Sequence, residues 1–81
     1  MVHKTMELRA LICETFPNSI VPEDITNLRL GDLPEWDSLG NFNLIMAIER
    51  EYNIQFDIEI MEKLTSVKDL EEGISNALSQ K

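Results

Sequence analysis

The apolar residues between positions 37 and 53 recur with a helical period, and they fall on two faces. At about 100° per residue, one arc contains four of them: Leu44, Ile45, Ile48 and Tyr52. A second arc, centred roughly 130° from the first, contains Leu39, Phe42 and Met46. The pattern predicts a helix that begins at Asp37 or Ser38 and runs to about Tyr52, followed by Asn53 in a left-handed conformation.

The second apolar arc of this helix has two possible uses. A helix that is apolar on two faces must bury the second face against another part of its own domain, or offer it to a partner or ligand. The spacing of the residues leaves both possibilities open.

Three other segments complete the predicted set of helices. Residues 4–16 form an amphipathic helix with Met6, Leu8, Leu11, Ile12 and Phe16, and Pro17 ends it. The last helix opens at Ser66, where a hydroxyl is followed three residues later by a carboxylate, and it places Val67, Leu70, Ile74 and Leu78 in one core stripe. Between them, "EIMEKL" (59–64) is expected to form one or two helical turns.

Residues 17–37 show no sustained helical period or alternation. They contain three prolines and six scattered aliphatic residues, namely Ile20, Val21, Ile25, Leu28, Leu30 and Leu33. We expect a long loop that packs its own aliphatic side chains against the core, and connections of this length are more often functional than idle. The predicted fold is therefore all-α: a small four-helix bundle, with three main helices and one short one, in a single domain of residues 1–81.

The length and composition of the chain limit its function. With 81 residues and no apolar run of about twenty, it is expected to be one small soluble domain without membrane insertion. So short a chain has little spare structure for an enclosed active site. Its first ten residues lack the apolar segment of a secretory signal, which favours the cytoplasm.

Few residues are available for catalysis or metal binding. Cys13 is the only cysteine, so no intramolecular disulfide can form, and a buried thiol is expected. His3 is the only histidine, so neither a zinc-type cluster nor a histidine-activated nucleophile is predicted. The acids near position 35 do not follow the spacing of a calcium loop.

The charge is strongly acidic and localised. Seven basic and fifteen acidic residues give a net charge of −8, which disfavours nucleic acid and anionic membranes as partners. Between residues 30 and 62, eight acids and Arg50 give −7 of that total. This region is either a solvated acidic surface or a docking surface for basic partners.

Ser38 stands where the polar loop becomes the predicted helix. Its hydroxyl suits a helix cap, since a short polar side chain there can accept a hydrogen bond from the first turn. The start of a helix also favours a phosphate group esterified to such a serine, because free amides and the positive end of the helix dipole lie there. Both roles follow from the same position.

The chain resembles the acyl carrier proteins. The resemblance rests on "DSL" (37–39) at the start of a helix that continues "NLIMAIEREYNI" (43–54), and on "EKLTSVKDL" (62–70) and "TNLRLGDL" (26–33). It covers essentially the whole chain. In that family the serine of the Asp-Ser-Leu motif carries 4′-phosphopantetheine, whose thiol holds the cargo as a thioester.

The resemblance implies roles for individual residues. Ser38 would be the attachment site of phosphopantetheine, which is derived from coenzyme A, with Asp37 and Leu39 completing the motif. The partner-facing surface would comprise Leu39, Phe42, Asn43, Met46, Glu49 and Arg50. The core arc, with Phe16, Phe56, Leu70 and Ile74, would line any interior space for a short acyl chain.

The resemblance also implies a set of partners and no catalytic activity. The expected partners are a phosphopantetheinyl transferase, an acyl- or aminoacyl-loading ligase or transferase, and the synthases of a biosynthetic pathway for fatty acids or polyketides. The carrier itself is expected to be a monomer.

The sequence departs from carriers of general fatty acid synthesis at the partner-facing helix. Those carriers usually have an acid two residues after the serine and another five residues after it, where this chain has Gly40 and Asn43. Arg50 adds a positive charge near the same face. In these differences the chain resembles carriers that serve specialised pathways. Trp36 is another uncommon residue. We expect it to cover the core beside Leu33, and the alternative is contact with the prosthetic arm or a partner.

Two alternatives to an acyl carrier remain open from the sequence. The chain could carry an aminoacyl group, as D-alanyl or peptidyl carriers do. It could also be an unmodified acidic helical adaptor that binds a partner through the second apolar arc.

Overall fold

Regular structure in residues 7–79, the part of the chain that the computed structural model describes, is helical. The helices are α1 (Leu8–Thr15), α2 (Ser38–Tyr52), α3 (Ile58–Met61) and α4 (Val67–Ser79). Within this range there is no strand, and an isolated antiparallel bridge joins Arg29 to Ser66. The prediction of a small all-α bundle with three main helices and one short one is confirmed.

Helix α1 is shorter than the predicted segment of residues 4–16. Glu7 has an extended backbone and precedes the first turn, so the helix begins at Leu8. Residues 4–6 of the predicted segment lie outside the described residues. At the other end the amide of Phe16 donates a hydrogen bond to the carbonyl of Ile12, and Pro17 then ends the helix.

Helix α2 has the predicted bounds. It begins at Ser38 and ends at Tyr52, and Asn53 adopts the left-handed conformation with φ of 56°. Three residues of the first arc are fully buried, namely Leu44, Ile45 and Ile48. Tyr52 is half-buried and packs against the same core. The helical period therefore identified the face of α2 that packs inside the domain.

The long loop between α1 and α2 is held to the start of α4 by backbone hydrogen bonds. The amide of Leu30 donates to the carbonyl of Thr65 at 2.8 Å, and the amide of Val67 donates to the carbonyl of Leu28 at 2.9 Å. These bonds tie the loop to a segment more than thirty residues later. The loop is therefore an ordered layer of the domain, although it contains no helix.

The aliphatic side chains of the loop pack against the core, with one exception. Val21 and Leu33 are buried, and Ile25, Leu28 and Leu30 are partly buried against the same cluster. Ile20 is almost fully exposed, so the prediction is wrong for that residue.

The last helix differs from its predicted stripe at one position. The Ser66 hydroxyl accepts a hydrogen bond from the amide of Asp69 at 3.1 Å, which confirms the predicted cap. Val67, Leu70 and Ile74 are buried as predicted, whereas Leu78 is 44% exposed. In this last turn the smaller Ala77 packs against the core instead, so the assignment of Leu78 to the core is wrong.

Trp36 packs in the core cluster together with Leu33, as predicted, and it is more deeply buried than a residue that only covers the core. Its side chain is fully buried, and its ring centroid lies 6.0 Å from that of Phe16. This contact packs the segment just before α2 against the end of α1. Cys13 is half-buried beside the same cluster, which is less burial than expected for its thiol.

Candidate attachment site and docking surface

Ser38 is the first residue of α2, and its side chain is exposed. Its hydroxyl makes no hydrogen bond with any residue from 7 to 79. The cap of the helix is Asp37, whose carboxylate accepts a hydrogen bond from the amide of Gly40 at 2.8 Å. Of the two roles that the sequence left open for Ser38, capping is ruled out, because the capping position is the extended residue just before the first turn. The serine hydroxyl is thereby left available.

The backbone amides around Ser38 are only partly satisfied. The amide of Gly40 is bound to the Asp37 carboxylate, and the amide of Asn41 donates to the Asp37 carbonyl at 2.7 Å. The amides of Ser38 and Leu39 have no acceptor within residues 7–79. Free amides and the positive end of the helix dipole favour a negative group at this position. A phosphodiester on the Ser38 oxygen therefore fits the start of α2.

Two consecutive buried hydrogen bonds lie beneath this site. The indole nitrogen Nε1 of Trp36 donates to Oδ1 of Asn41 at 2.8 Å, and Nδ2 of Asn41 donates to the carbonyl of Leu64 at 2.9 Å. The sequence analysis did not identify Asn41. One signal was available, because Asn41 precedes Leu44 and Ile45 by three and four residues and so lies on the core face of the helix.

Gly40 lies in the interior rather than on the exposed face of α2. A Cβ atom at this position would overlap with the backbone carbonyl oxygen of Glu35, and it would lie 3.1 Å from Cε1 of Phe16. The absence of a side chain is therefore required by the close approach of the loop. The interpretation of Gly40 as a lost acid on the partner-facing surface is wrong, because that position faces the loop before the helix.

Glu35 uses its carboxylate inside the domain. Its Oε1 atom accepts hydrogen bonds from the amide of Asn18 and from the hydroxyl of Ser19, both at 2.9 Å. This acid therefore holds the turn after α1 beside the segment that enters α2. Glu35 belongs to the acidic region predicted from the sequence, and its Oε1 atom already accepts two hydrogen bonds inside the domain.

The second apolar arc of α2 is exposed. Leu39, Phe42 and Met46 are 70%, 49% and 45% exposed, so within residues 7–79 no other element covers this face. Asn43 and Arg50 are also exposed. Of the two uses that the sequence left open for the arc, burial inside the described part of the domain is ruled out.

Glu49 and Arg50 are neighbours in sequence but differ in environment. Glu49 is half-buried, and its Oε2 atom accepts a hydrogen bond from the amide of Phe56 at 2.8 Å. This bond holds the segment after α2 against the helix. Arg50 is exposed and forms no ion pair with the rest of residues 7–79. The guanidinium group of Arg50 is therefore an exposed positive charge near the end of α2.

A cleft of about 750 Å³ lies between α2, α3 and α4. Its apolar lining includes Met46, Ile54, Phe56, Ile60 and Ala77. Of the four residues beyond α2 expected to line an interior space, Phe56 borders this cleft, whereas Phe16, Leu70 and Ile74 are packed in the core cluster.

The described residues lack the features of a metal site and of a membrane-spanning helix. No group of three or more His, Cys, Asp or Glu side chains in residues 7–79 is placed to hold a metal ion. His3 lies outside this range. None of the helices in the same range has the length and apolar character needed to cross a membrane.

A known protein is similar in sequence to most of this chain. An acyl carrier protein from Cylindrotheca sp. (strain N1) is 38% identical to this chain over 64 residues, which make up 78% of this chain and 80% of the relative. No family model and no solved structure matches the chain. The identity to that relative, in a helical bundle with an exposed serine at the start of α2, shows that the chain belongs to the acyl carrier protein family.

Proposed function

We propose that this chain holds acyl groups as thioesters on a 4′-phosphopantetheine arm attached to Ser38, and presents them to the enzymes of a biosynthetic pathway. Members of its family are non-catalytic carriers, so the chain is a carrier rather than an enzyme. The observation that supports Ser38 as the attachment site is its exposed hydroxyl directly after the helix cap, which makes no hydrogen bond within residues 7–79.

The surroundings of Ser38 suit the attachment reaction. In this reaction the Ser38 oxygen would bond to the phosphorus that bears the pantetheine arm, and the bond from this phosphorus to the nucleotide part of coenzyme A would break. The hydroxyl proton would pass to a base of the transferase. The Asp37 carboxylate accepts a hydrogen bond from the Gly40 amide, and within residues 7–79 it makes none with the Ser38 hydroxyl. The free amides of Ser38 and Leu39 stabilise negative charge on the phosphate. When bound, the arm supplies a thiol for the cargo.

The exposed arc of α2 supports a role in docking. Leu39 adjoins the proposed attachment site, and Phe42 and Met46 continue the same face along the helix. The proposed contacts further include Asn43, Glu49 and Arg50, and the proposed partners are the transferase, a loading ligase or transferase, and the pathway synthases. Such contacts should be weak and short-lived, since one carrier must leave each enzyme in turn.

The finer assignment is a carrier dedicated to a specialised pathway. Asn43 and Arg50 support it, because both are exposed on α2 where an acidic docking helix would carry negative charge. An aminoacyl cargo is the alternative within the same family. A single carrier domain over residues 1–81, a monomeric state and residence in the cytoplasm stay predictions.

The experiment that tests this function is enzymatic modification of the purified protein. Incubation with coenzyme A and a broad-specificity phosphopantetheinyl transferase should add the mass of one phosphopantetheine group, and fragmentation should locate it on Ser38. Ser38→Ala should remain unmodified and folded, while Ser66→Ala, which removes the serine that caps α4, should still accept the group.

The opposite result would favour the adaptor. If the wild-type chain stays unmodified in a tube where a control carrier is modified, Ser38 is not an attachment site. The exposed arc of Leu39, Phe42 and Met46 would then be the main functional surface.

A further inference from the structure

Two hydrogen bonds, one inside the other, span the residues around Ser38. The outer bond joins the Trp36 indole to the Asn41 side chain at 2.8 Å, and the inner bond joins the Asp37 carboxylate to the Gly40 amide, also at 2.8 Å. Both bonds connect a residue before Ser38 to a residue after it. The serine therefore lies at the exposed tip of a turn, and both hydrogen bonds close this turn beneath it.

The outer bond is anchored to the opposite side of the domain. Asn41 is only 7% exposed, and its Nδ2 atom donates to the carbonyl of Leu64, 23 residues away in the connection between α3 and α4. Both ends of the Asn41 amide group are thus engaged in the interior, where hydrogen bonds are stronger than in water. This fixes the first turn of α2 against the connection between α3 and α4.

Trp36 is itself held firmly. Its amide donates to the carbonyl of Leu33 at 3.0 Å, and its carbonyl accepts from the amide of Gly31 at 2.8 Å. Its ring is fully buried against Phe16. The chain therefore enters α2 along a path that is fixed by backbone bonds, by ring packing and by the bond to Asn41.

We propose that Asn41 is a positioning residue for the modification of Ser38. By linking Trp36 to the Leu64 carbonyl, it holds the first turn of α2 in the orientation that presents the serine hydroxyl to the transferase. This inference rests on the proposed function, and it assigns no contact between Asn41 and the substrate.

The physical reason is the geometric demand of phosphoryl transfer. The serine oxygen must approach the phosphorus from a defined direction, and a displacement of about 1 Å at a reacting group can lower a rate by up to about a hundredfold. Removing the link between Trp36 and Asn41 takes away one of the restraints on the turn and changes no residue of the exposed arc. We therefore expect kcat for phosphopantetheine transfer to fall about tenfold, with little change in KM for the carrier.

The test compares three variants with the wild-type chain. Asn41→Leu removes both hydrogen bonds. Trp36→Phe removes the outer bond and keeps an aromatic ring at this position, although a smaller one. The double variant removes both members of that pair. A buried polar group that loses its partner lowers stability more than a pair of apolar groups at the same positions. The double variant should therefore lose less free energy of unfolding than the sum of the losses in the two single variants. Its kcat should not recover.

The control is Ile74→Ala, which weakens the core in α4 and leaves the hydrogen-bonding groups of Ser38, Trp36 and Asn41 in place. All variants are assayed at a temperature where circular dichroism shows them folded. A low kcat in the two single variants and the double variant, with wild-type kcat in the control, supports positioning by Asn41. Equal kcat in all folded proteins, or losses that follow stability in the control as well, overturns it.

Failure of the inference is distinguishable from failure of the proposed function. If the wild-type chain is modified on Ser38 and the variants are modified equally well, only the role of Asn41 is rejected. If the wild-type chain is not modified at all, both proposals fall. Should Asn41→Leu not fold, Trp36→Phe carries the comparison alone, since it keeps the Asn41 bond to Leu64.

Discussion

The Cα atom of Gly40 lies so close to the carbonyl oxygen of Glu35 that no Cβ atom fits between them. Glycine in the first turn of a helix costs up to about 1 kcal/mol in propensity relative to alanine. Here that cost is offset by the close packing of the loop, which lets the Glu35 carboxylate hold the turn after α1. The path of the chain into α2 therefore depends on the missing side chain.

Gly40→Ala should lower the free energy of unfolding by about 1–3 kcal/mol, because the backbone must shift to admit the methyl group. The gain in helix propensity from alanine is smaller than this cost. Urea denaturation followed by circular dichroism measures the change. Asn43→Ala, at an exposed position of the same helix, is the control and should change stability by less than about 0.5 kcal/mol. Equal stability of Gly40→Ala and the wild-type chain would contradict the close approach.

Asp37→Ala and Ser38→Ala should differ in stability although the residues are adjacent. Asp37 supplies the cap, so its replacement should cost about 1 kcal/mol. Ser38 makes no side-chain hydrogen bond in the described domain, so its replacement should cost less than about 0.5 kcal/mol. Thermal and urea unfolding would measure both. A larger loss from Ser38→Ala than from Asp37→Ala would show that the serine is the cap.

The ends and faces of α2 could be predicted because their signals are local. A polar residue before the first turn, a left-handed asparagine after the last, and the helical spacing of Leu44, Ile45 and Ile48 all lie within one short segment. Such signals depend on the chain within about one or two turns. The assignment of the loop aliphatics to the core rests on their apolar character alone, and it is correct for five of them and wrong for Ile20.

The contacts that shape the candidate site could not be predicted in the same way. The bond from Asn41 to Leu64 joins residues 23 apart, and the overlap at Gly40 depends on where the loop carbonyl of Glu35 lies. Periodicity shows which face is inside, but not which polar group meets another there. Leu78 continues the α4 stripe, yet the neighbouring Ala77 packs on the core in its place.

Phe42→Ala and Met46→Ala should affect docking more than stability. Both side chains are about half exposed, so each replacement should change the free energy of unfolding by less than about 1 kcal/mol. If the arc contacts the transferase, a loss of about 1 kcal/mol of binding raises KM about fivefold with little change in kcat. Steady-state modification kinetics separate the two constants.

The matched control for the arc is Leu44→Ala on the opposite, buried face of the helix. It should cost about 2–5 kcal/mol of stability while leaving KM near the wild-type value at a temperature where the variant is folded. An unchanged KM in both Phe42→Ala and Met46→Ala would reject this face as the docking surface for the transferase.

Asn43→Glu should increase loading by a malonyl transferase of general fatty acid synthesis. Position 43 is exposed, so the new carboxylate meets no steric obstacle comparable to the one at Gly40. A rim charge pair contributes roughly 0.2 to 1 kcal/mol, which corresponds to at most about a fivefold gain. The gain should shrink at high salt. Asn43→Gln, similar in size and uncharged, is the control, and equal loading of both variants would show that charge at position 43 does not select the partner.

Glu49 has a structural contact and a proposed partner contact, and two replacements separate them. Its carboxylate accepts a hydrogen bond from the Phe56 amide, so Glu49→Ala should cost about 1–3 kcal/mol by leaving that amide unpartnered. Glu49→Gln removes the charge but keeps an acceptor, and it should cost clearly less. If Glu49 also binds a basic partner, both variants should raise KM alike, because both lack the charge. A KM that stays at the wild-type value in Glu49→Gln would assign this acid to the fold alone, since its remaining task is to hold the segment after α2 against the helix.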